Sequence, residues 1–443
     1  MLKKLNHFRN NIEFLKYFKN TSWMLGDKMF SMFLSIVVSI FVVRYLGPEK
    51  YGILSYAISL CSFFGIATHM GLNGLAIREL VKQPDNQNAL MGTIFLIKFG
   101  SAVLAFFLLL SYIYFYENQN QNEYYIILVV SGIILLKPFE IFDFWFQAKV
   151  KAKYSSLANL SSVIVTSILK FVFIILGVNL IIFTTSILFQ SLLTVCVFAF
   201  YYNKISQSSF MHWKFNLFEA KKLLRESWII MLGAIFTIIY LKIDQVMIRW
   251  LLGFDEVGFY SIAARLSEIW YIVPSLIVSS LFPKLIDLSK KDNKQFTEKL
   301  QKLFDFLMLI ALIIAILTTI FSKPLISFLY GEEFFEASMI LSIHIWAGIF
   351  VFMRAVVSKW VLIKDLIVFS TLTQGLGALI NILLNLILIP LYGIKGAAIA
   401  TIISYATASY FAFFFNKRTR PIFLMMSLSI LYPFRLLKQI LRT

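Results

Sequence analysis

Four charged residues lie within two consecutive apolar runs near the middle of the chain, where a membrane-spanning or core segment normally has none. Lys242 and Asp244 lie in the first run, and Arg265 and Glu268 lie in the second. A charge at the centre of a bilayer costs about 2.5–3.5 kcal/mol on insertion scales, so such residues usually face an internal cavity or each other. We therefore expect these side chains to bind a charged substrate or an ion, or to neutralise one another.

Two pairs of these charges have the spacing of helix neighbours. Lys137 and Glu140 are three residues apart in another apolar segment, as are Arg265 and Glu268. Side chains three apart share a helix face, so each pair can also form a simple internal ion pair. Both interpretations remain open for both pairs.

Other intramembrane charges have no carboxylate in their own segment. Lys98 and Lys170 are of this kind, and Arg354 lies near the end of its segment. The long side chains of Lys170 and Arg354 could instead extend to the membrane interface, and that alternative stays open. A cleft lined by unpaired cations attracts an anion, and phosphate or pyrophosphate suits an arginine fork and a lysine point charge. The predicted substrate-binding residues are Lys98, Lys170, Lys242, Arg265 and Arg354, and those predicted for ion coupling or charge pairing are Asp244, Glu268, Lys137 and Glu140.

The composition places these charges in a membrane protein. The chain has 443 residues, of which 59% are hydrophobic and 14% charged, whereas soluble domains are about 45–50% apolar and about 25% charged. Apolar stretches long enough to cross a bilayer recur along the whole chain. The formal net charge of +18 resides mainly in short loops and at the ends, a distribution that orients membrane proteins and requires no nucleic acid. The predicted fold class is an all-α integral membrane protein.

Enzyme chemistry is disfavoured by the motifs. The sequence contains no Gly-Lys pair for a phosphate loop, its four histidines are scattered, and Cys61 and Cys196 both lie in apolar segments. We therefore expect no enzymatic activity, no metal site and no cofactor, and leave Na⁺ or H⁺ coupling open.

We predict twelve spans in two six-helix lobes around a central cleft. If the N-terminus is cytoplasmic, the inner segments carry roughly 29 Lys and Arg and the outer turns roughly five, so both termini are predicted to be cytoplasmic. The predicted divisions are a cytoplasmic N-terminal segment 1–21, an N-lobe 22–202, a cytoplasmic linker 203–225, a C-lobe 226–416 and a basic, interfacial tail 417–443.

A repeated turn supports the division into two halves. YLGPEKYG ends at Gly52 and LLGFDEVG ends at Gly258, with Gly47 aligned to Gly253. The turns follow predicted spans one and seven, so the halves are expected to be parallel copies, as in some secondary transporters.

Several pieces spread over both halves resemble one family. They are VVRYLGPEKYGILSYA, GLNGLAIREL, the stretch from Lys242 to Glu268 with the following WYIVPSLIVSSLFPKL, LYGEEF, and INILLNLILIPLYGIKGAAIATIISYA. In this order they resemble the multidrug/oligosaccharidyl-lipid/polysaccharide exporter superfamily, in its bacterial polysaccharide-unit (O-antigen, Wzx-type) flippase branch. The resemblance implies a flippase that moves an undecaprenyl-pyrophosphate-linked oligosaccharide to the outer leaflet of the bacterial inner membrane. It also implies a glycan polymerase and a chain-length regulator as partners.

Three alternatives stay open. A cation-coupled multidrug exporter of the same superfamily would suit an acidic cleft, and a lipid II flippase typically carries two further spans. A membrane polymerase or glycosyltransferase would need a large outer loop or a nucleotide-sugar motif, which the sequence lacks.

Overall fold

The computed structural model describes residues 12–116, 121–206 and 210–440, and this part of the chain is helical throughout with no β-strand. Parts of the predicted N-terminal segment, linker and tail therefore lie outside the described residues. The α-helices are α1 Ile12–Gly65, α2 Asn73–Lys82, α3 Gln87–Tyr116, α4 Gln121–Leu136, α5 Ile141–Ala148, α6 Ala152–Ile175, α7 Leu180–Ile205, α8 Leu217–Leu251, α9 Phe254–Glu268, α10 Ile272–Lys291, α11 Asn293–Tyr330, α12 Phe335–His344, α13 Ala347–Ile363, α14 Ile367–Tyr392, α15 Ile394–Ser409, α16 Arg420–Ile430 and α17 Tyr432–Ile440.

The helices confirm the predicted fold class of an all-α membrane protein. Ten described segments are long and apolar enough to cross a membrane, or up to twelve if each of two bent pairs counts as one span. The first of these segments, Lys19–Lys82, is 64 residues long, whereas one crossing needs about 20. It therefore contains both of the first two predicted spans.

Two predicted elements are bent. One predicted span in the second half of the chain consists of two segments, Glu332–His344 and Ala347–Ile363, which meet at 45°. In the predicted interfacial tail, α16 meets the following helix at 54°, and together they are long and apolar enough for a broken span. The interfacial placement of that tail stays a prediction.

The chain forms two compact units. The first unit comprises the described residues up to Leu46 together with Leu60–Ala234, and the second comprises Gly47–Ser59 together with the described residues from Ile235 onward. The division near residue 234 falls inside α8, because this helix begins at Leu217 and continues without interruption to Leu251. The predicted lobe boundaries, with a linker at 203–225, stay a prediction.

Each unit has its own apolar core. In the first unit the core is aromatic, with Phe142, Trp145 and Tyr202 buried together; Trp145 and Tyr202 meet edge to face with ring centroids 5.1 Å apart. In the second unit Phe304, Trp360 and other residues form the core. Apolar side chains that remain exposed along the helices form the surface that a bilayer would cover.

The two repeated turns lie against each other within the second unit. Gly47 has φ +72° and Gly253 has φ +147°, in the region that favours glycine, so each interrupts the helical path at the same point of the motif. A Cβ added to Gly52 would lie 1.8 Å from the carbonyl oxygen of Phe254, and one added to Gly258 would lie 2.3 Å from that of Pro48. The last glycine of each turn is therefore required for contact with the backbone of the other.

We expect Gly52→Ala and Gly258→Ala each to lower thermal stability, because a methyl group would push two backbones apart. Overpacking of this kind costs typically 1–3 kcal/mol or more. The measurement is thermal unfolding of the purified protein in detergent, followed by tryptophan fluorescence. Gly100→Ala is the matched control, since a Cβ there meets no atom within 4 Å. Equal unfolding temperatures for all three variants would contradict the proposed contact.

Candidate functional site

Asp244 is the centre of a buried polar network in the second unit. Its Oδ2 accepts hydrogen bonds from the Tyr260 hydroxyl at 2.6 Å and from Thr401 Oγ1 at 2.7 Å, and its Oδ1 accepts one from Asn385 Nδ2 at 2.5 Å. The same Asn385 amide also donates to Asn381 Oδ1 at 3.3 Å. All of these side chains are buried, and in the described part of the chain the donors to this carboxylate are neutral hydroxyl and amide groups.

Close helix packing brings these groups together. Asn381 and Asn385 lie four apart on α14, and Thr401 lies on α15. A Cβ on Gly377 would lie 2.7 Å from the Cβ of Ala408, so small residues allow these two helices to approach closely. This approach lets short amide and hydroxyl side chains reach a common centre.

The network is rich in oxygen atoms that can bind a cation. Besides the carboxylate, it contains the hydroxyls of Tyr260 and Thr401 and the amide oxygens of Asn381 and Asn385. Within the described residues, Asn385 Oδ1 is buried with no hydrogen-bond partner. A buried carboxylate without a cationic partner is costly unless it binds a proton or a cation. The arrangement can therefore take up either one.

Lys242, which lies just before Asp244 in sequence, and Glu268 form a loose ion pair, with Lys242 Nζ 4.0 Å from Glu268 Oε2. Both side chains are about one quarter exposed. Glu268 thus partly neutralises the charge of Lys242. Arg265 is partly buried and lies one helical turn before Glu268 on α9.

Arg354 is a part-buried cation with neutral partners. Its Nη1 donates to Thr373 Oγ1 and to the Ala408 carbonyl, both at 3.2 Å, and its Nη2 donates to the carbonyl and the hydroxyl of Ser370 at 3.1 and 2.6 Å. Its terminal nitrogens are therefore not available as the predicted fork for a phosphate. Its positive charge still contributes to the local potential.

In the first unit, Lys98 is paired. Its ammonium lies 3.2 Å from Glu140 Oε2 and 4.9 Å from the ring centroid of Phe144, and the side chain is fully buried. Lys137 lies 3.7 Å from the other oxygen of Glu140. The expectation that Lys98 is a lone cation is therefore wrong, because its partner is 42 residues away in sequence. The predicted Lys137–Glu140 pair does form.

Lys170 lies on α6, with its side chain partly exposed. Lys98 and Lys170 belong to the first unit, and Lys242, Arg265 and Arg354 belong to the second. The shared substrate-binding role of these five residues stays a prediction.

Sequence reasoning missed the partners of Asp244. Asn381 and Asn385 lie in INILLN, a piece noted only for family resemblance. Two asparagines four apart in an otherwise apolar helix are themselves a signal, since each amide needs a partner away from water.

The family of the chain follows from its sequence. A sequence model described as "Polysaccharide biosynthesis protein" matches residues 17–289, more than half of the chain. The chain belongs to this family. The predicted resemblance to proteins of polysaccharide-unit export is confirmed at the level of this family.

Two relatives of the chain carry the name of a transporter or a flippase. The chain is 24% identical over 328 residues to a putative O-antigen transporter of Shigella flexneri, covering 71% of this chain and 77% of that protein. It is 22% identical over 415 residues to the probable flippase AglR of Haloferax volcanii, covering 90% and 83%.

Solved structures share the fold. The lipid II flippase MurJ in an inward closed conformation has a TM-score of 0.70 at 16% identity, covering 91% of this chain and 90% of that one. An inward-facing multidrug resistance MATE family transporter also has a TM-score of 0.70, at 12% identity, covering 88% and 95%.

The buried Lys98–Glu140 pair gives a prediction about stability. We expect Lys98→Met and Glu140→Gln each to lower stability by up to about 3–5 kcal/mol, because each leaves a partly or fully buried group without its counterpart. The double variant should lose less than the sum of the two losses. The measurement is thermal unfolding in detergent. Lys137→Met is the control, since Lys137 is one third exposed and its pairing contributes little. Strictly additive losses would contradict the pairing.

Proposed function

We propose that the chain is a flippase for an undecaprenyl-pyrophosphate-linked oligosaccharide, an O-antigen or capsule repeat unit. It would move this unit from the inner to the outer leaflet of the bacterial cytoplasmic membrane by alternating access, with both termini in the cytoplasm. The observation that carries the proposal is the similarity to a putative O-antigen transporter over most of both chains. A glycan polymerase and a chain-length regulator are the proposed partners.

The charge of the buried residues supports an anionic head group. The neutral oxygens around Arg354 leave its positive charge uncompensated, and an uncompensated cation in a low-dielectric region attracts an anion over several ångströms. Arg354 would act through this field, and Lys242 and Arg265 of the same unit would supply closer contacts. Lys170 of the first unit is proposed as a further substrate-binding cation. A membrane potential that is negative inside favours outward movement of the anion by about 2.3 kcal/mol per charge per 100 mV.

Asp244 is the proposed coupling residue. Among the described residues its carboxylate accepts hydrogen bonds from neutral donors, and Asn385 contributes an oxygen without a hydrogen-bond partner there. Binding of Na⁺ or H⁺ would remove the cost of an isolated buried charge. Uptake and release of this cation would then favour one conformation over the other.

The transport proposal is tested by complementation. Deletion of the gene in its host should abolish the surface glycan and cause lipid-linked units to accumulate. Lys170→Arg and Arg354→Lys should restore more glycan than Lys170→Ala and Arg354→Met, because charge is retained; immunoblots check the amount of each variant. An unchanged glycan with altered drug sensitivity would favour the multidrug exporter. Accumulation of lipid-linked units that already reach the outer leaflet would favour a polymerase.

The coupling proposal is tested on the purified protein. We expect Na⁺, compared with choline at equal ionic strength, or else a fall in pH, to raise the unfolding temperature of the wild type. Asp244→Asn should remove this response, because the amide carries no charge to neutralise. Asp287→Asn, an exposed carboxylate on α10, is the control. A response that survives Asp244→Asn would refute the coupling role.

A further inference from the structure

A cavity lined mainly by residues with polar side chains lies within the first unit, and its described lining includes none of the site residues predicted from the sequence. Its volume is about 360 Å³, within the range of about 300–1,000 Å³ that is usual for small-molecule sites. Ten of its thirteen lining residues carry polar side chains. They come from α1, α5, α6 and α7, and include Asp27, Asp143, Gln147, Ser156, Asn159 and Gln190.

The two carboxylates of this cavity retain acceptor capacity. Asp27 accepts hydrogen bonds from Ser31 Oγ at 3.0 Å and from Asn159 Nδ2 at 3.3 Å, and Asp143 accepts one from Gln147 Nε2 at 2.9 Å. An ionised carboxylate has about four lone-pair positions, so each can accept further donors from a ligand. The amides also position the carboxylates along the wall of the cavity.

Ser156 indicates that the cavity is built for a polar occupant. Its side chain is 1% exposed, and its Oγ has no hydrogen-bond partner among the described residues. Buried hydroxyls without a partner are uncommon, because they lose hydrogen bonds to water and gain none. A hydroxyl-bearing ligand in the cavity would supply the missing partner.

The charges of the lining select the class of ligand. The lining contains two carboxylates and one lysine, Lys28, whose side chain is exposed. An acidic ligand would be repelled, whereas hydroxyl and ammonium groups would be attracted. A single desolvated cation needs a tight shell of oxygens, and this cavity is far larger than such a shell. Many dispersed donors and acceptors suit a polyol.

We propose that this cavity binds a sugar ring, with a preference for neutral and amino sugars over acidic sugars. The link to transport rests on the proposed function: the ring would belong to the oligosaccharide that the protein moves. The phosphate end of the substrate would be bound elsewhere, because the carboxylates repel it.

The test is saturation-transfer NMR on the purified full-length protein in detergent with three sugars that differ in charge. The probes are glucose, glucosamine and glucuronate, which are neutral, cationic and anionic at pH 7. We expect binding of glucose and glucosamine, and at least about five-fold weaker binding of glucuronate. Asp27→Asn with Asp143→Asn should remove the discrimination against glucuronate, and Ser156→Ala should weaken glucose binding about ten-fold, as for loss of one buried hydrogen bond.

Controls separate a binding effect from a folding effect. Asp287→Asn removes a carboxylate outside the cavity and should leave all three signals unchanged, and unfolding temperatures show whether each variant is folded. Equal binding of the three sugars, or binding unaffected by the cavity variants, would overturn the proposal. Stabilisation by Na⁺ that requires Asp27, without any sugar signal, would assign a cation site instead.

The outcome is independent of the transport test. Sugar binding together with failed glycan complementation would support the sugar-binding proposal and contradict the flippase proposal. Normal complementation without sugar binding would support the flippase proposal and contradict the proposal that the cavity binds a sugar.

Discussion

A charge inside an apolar helical unit must be compensated by nearby groups, because neither lipid nor packed side chains can solvate it. The structure meets this constraint in three ways. Lys98 is neutralised by Glu140 and by the face of Phe144. Asp244 is held by hydroxyl and amide donors, and Arg354 by neutral oxygens. The first arrangement pairs the buried ammonium with a carboxylate, which Lys137 also contacts, and the other two leave a charge among neutral groups.

This difference separates a charge that stabilises the fold from those that are proposed to act in transport. A neutralised pair contributes to the stability of the first unit and has little remaining attraction for a substrate. A retained charge keeps a potential that an ion or a head group of opposite sign can use. The second unit contains one retained negative charge and one retained positive charge, at Asp244 and Arg354. A cation and an anionic substrate can therefore each find a complementary group within the same unit.

The fold could be predicted from the sequence much further than the sites could. Long apolar segments and the aligned glycines of the two turns are local features, and the structure contains both. The partner of Lys98 could not be found in the same way, because Glu140 is distant in sequence and becomes a neighbour only when α3 packs near Lys137–Glu140. Asp27 was missed because it lies close to the start of its span, where a carboxylate is unremarkable. Its neighbour Asn159 is on another helix.

The reciprocal contact of the two turns has a consequence for biosynthesis. Gly47–Ser59 belongs to the second unit although it is made with the first. Protein synthesis proceeds at about 5–20 residues per second. The ribosome therefore adds Gly52 on the order of tens of seconds before it adds Phe254 and Gly258. During that interval the backbone of the turn that ends at Gly52 has no packing partner. Truncated chains that stop before residue 254 would lack the backbone against which Gly52 packs.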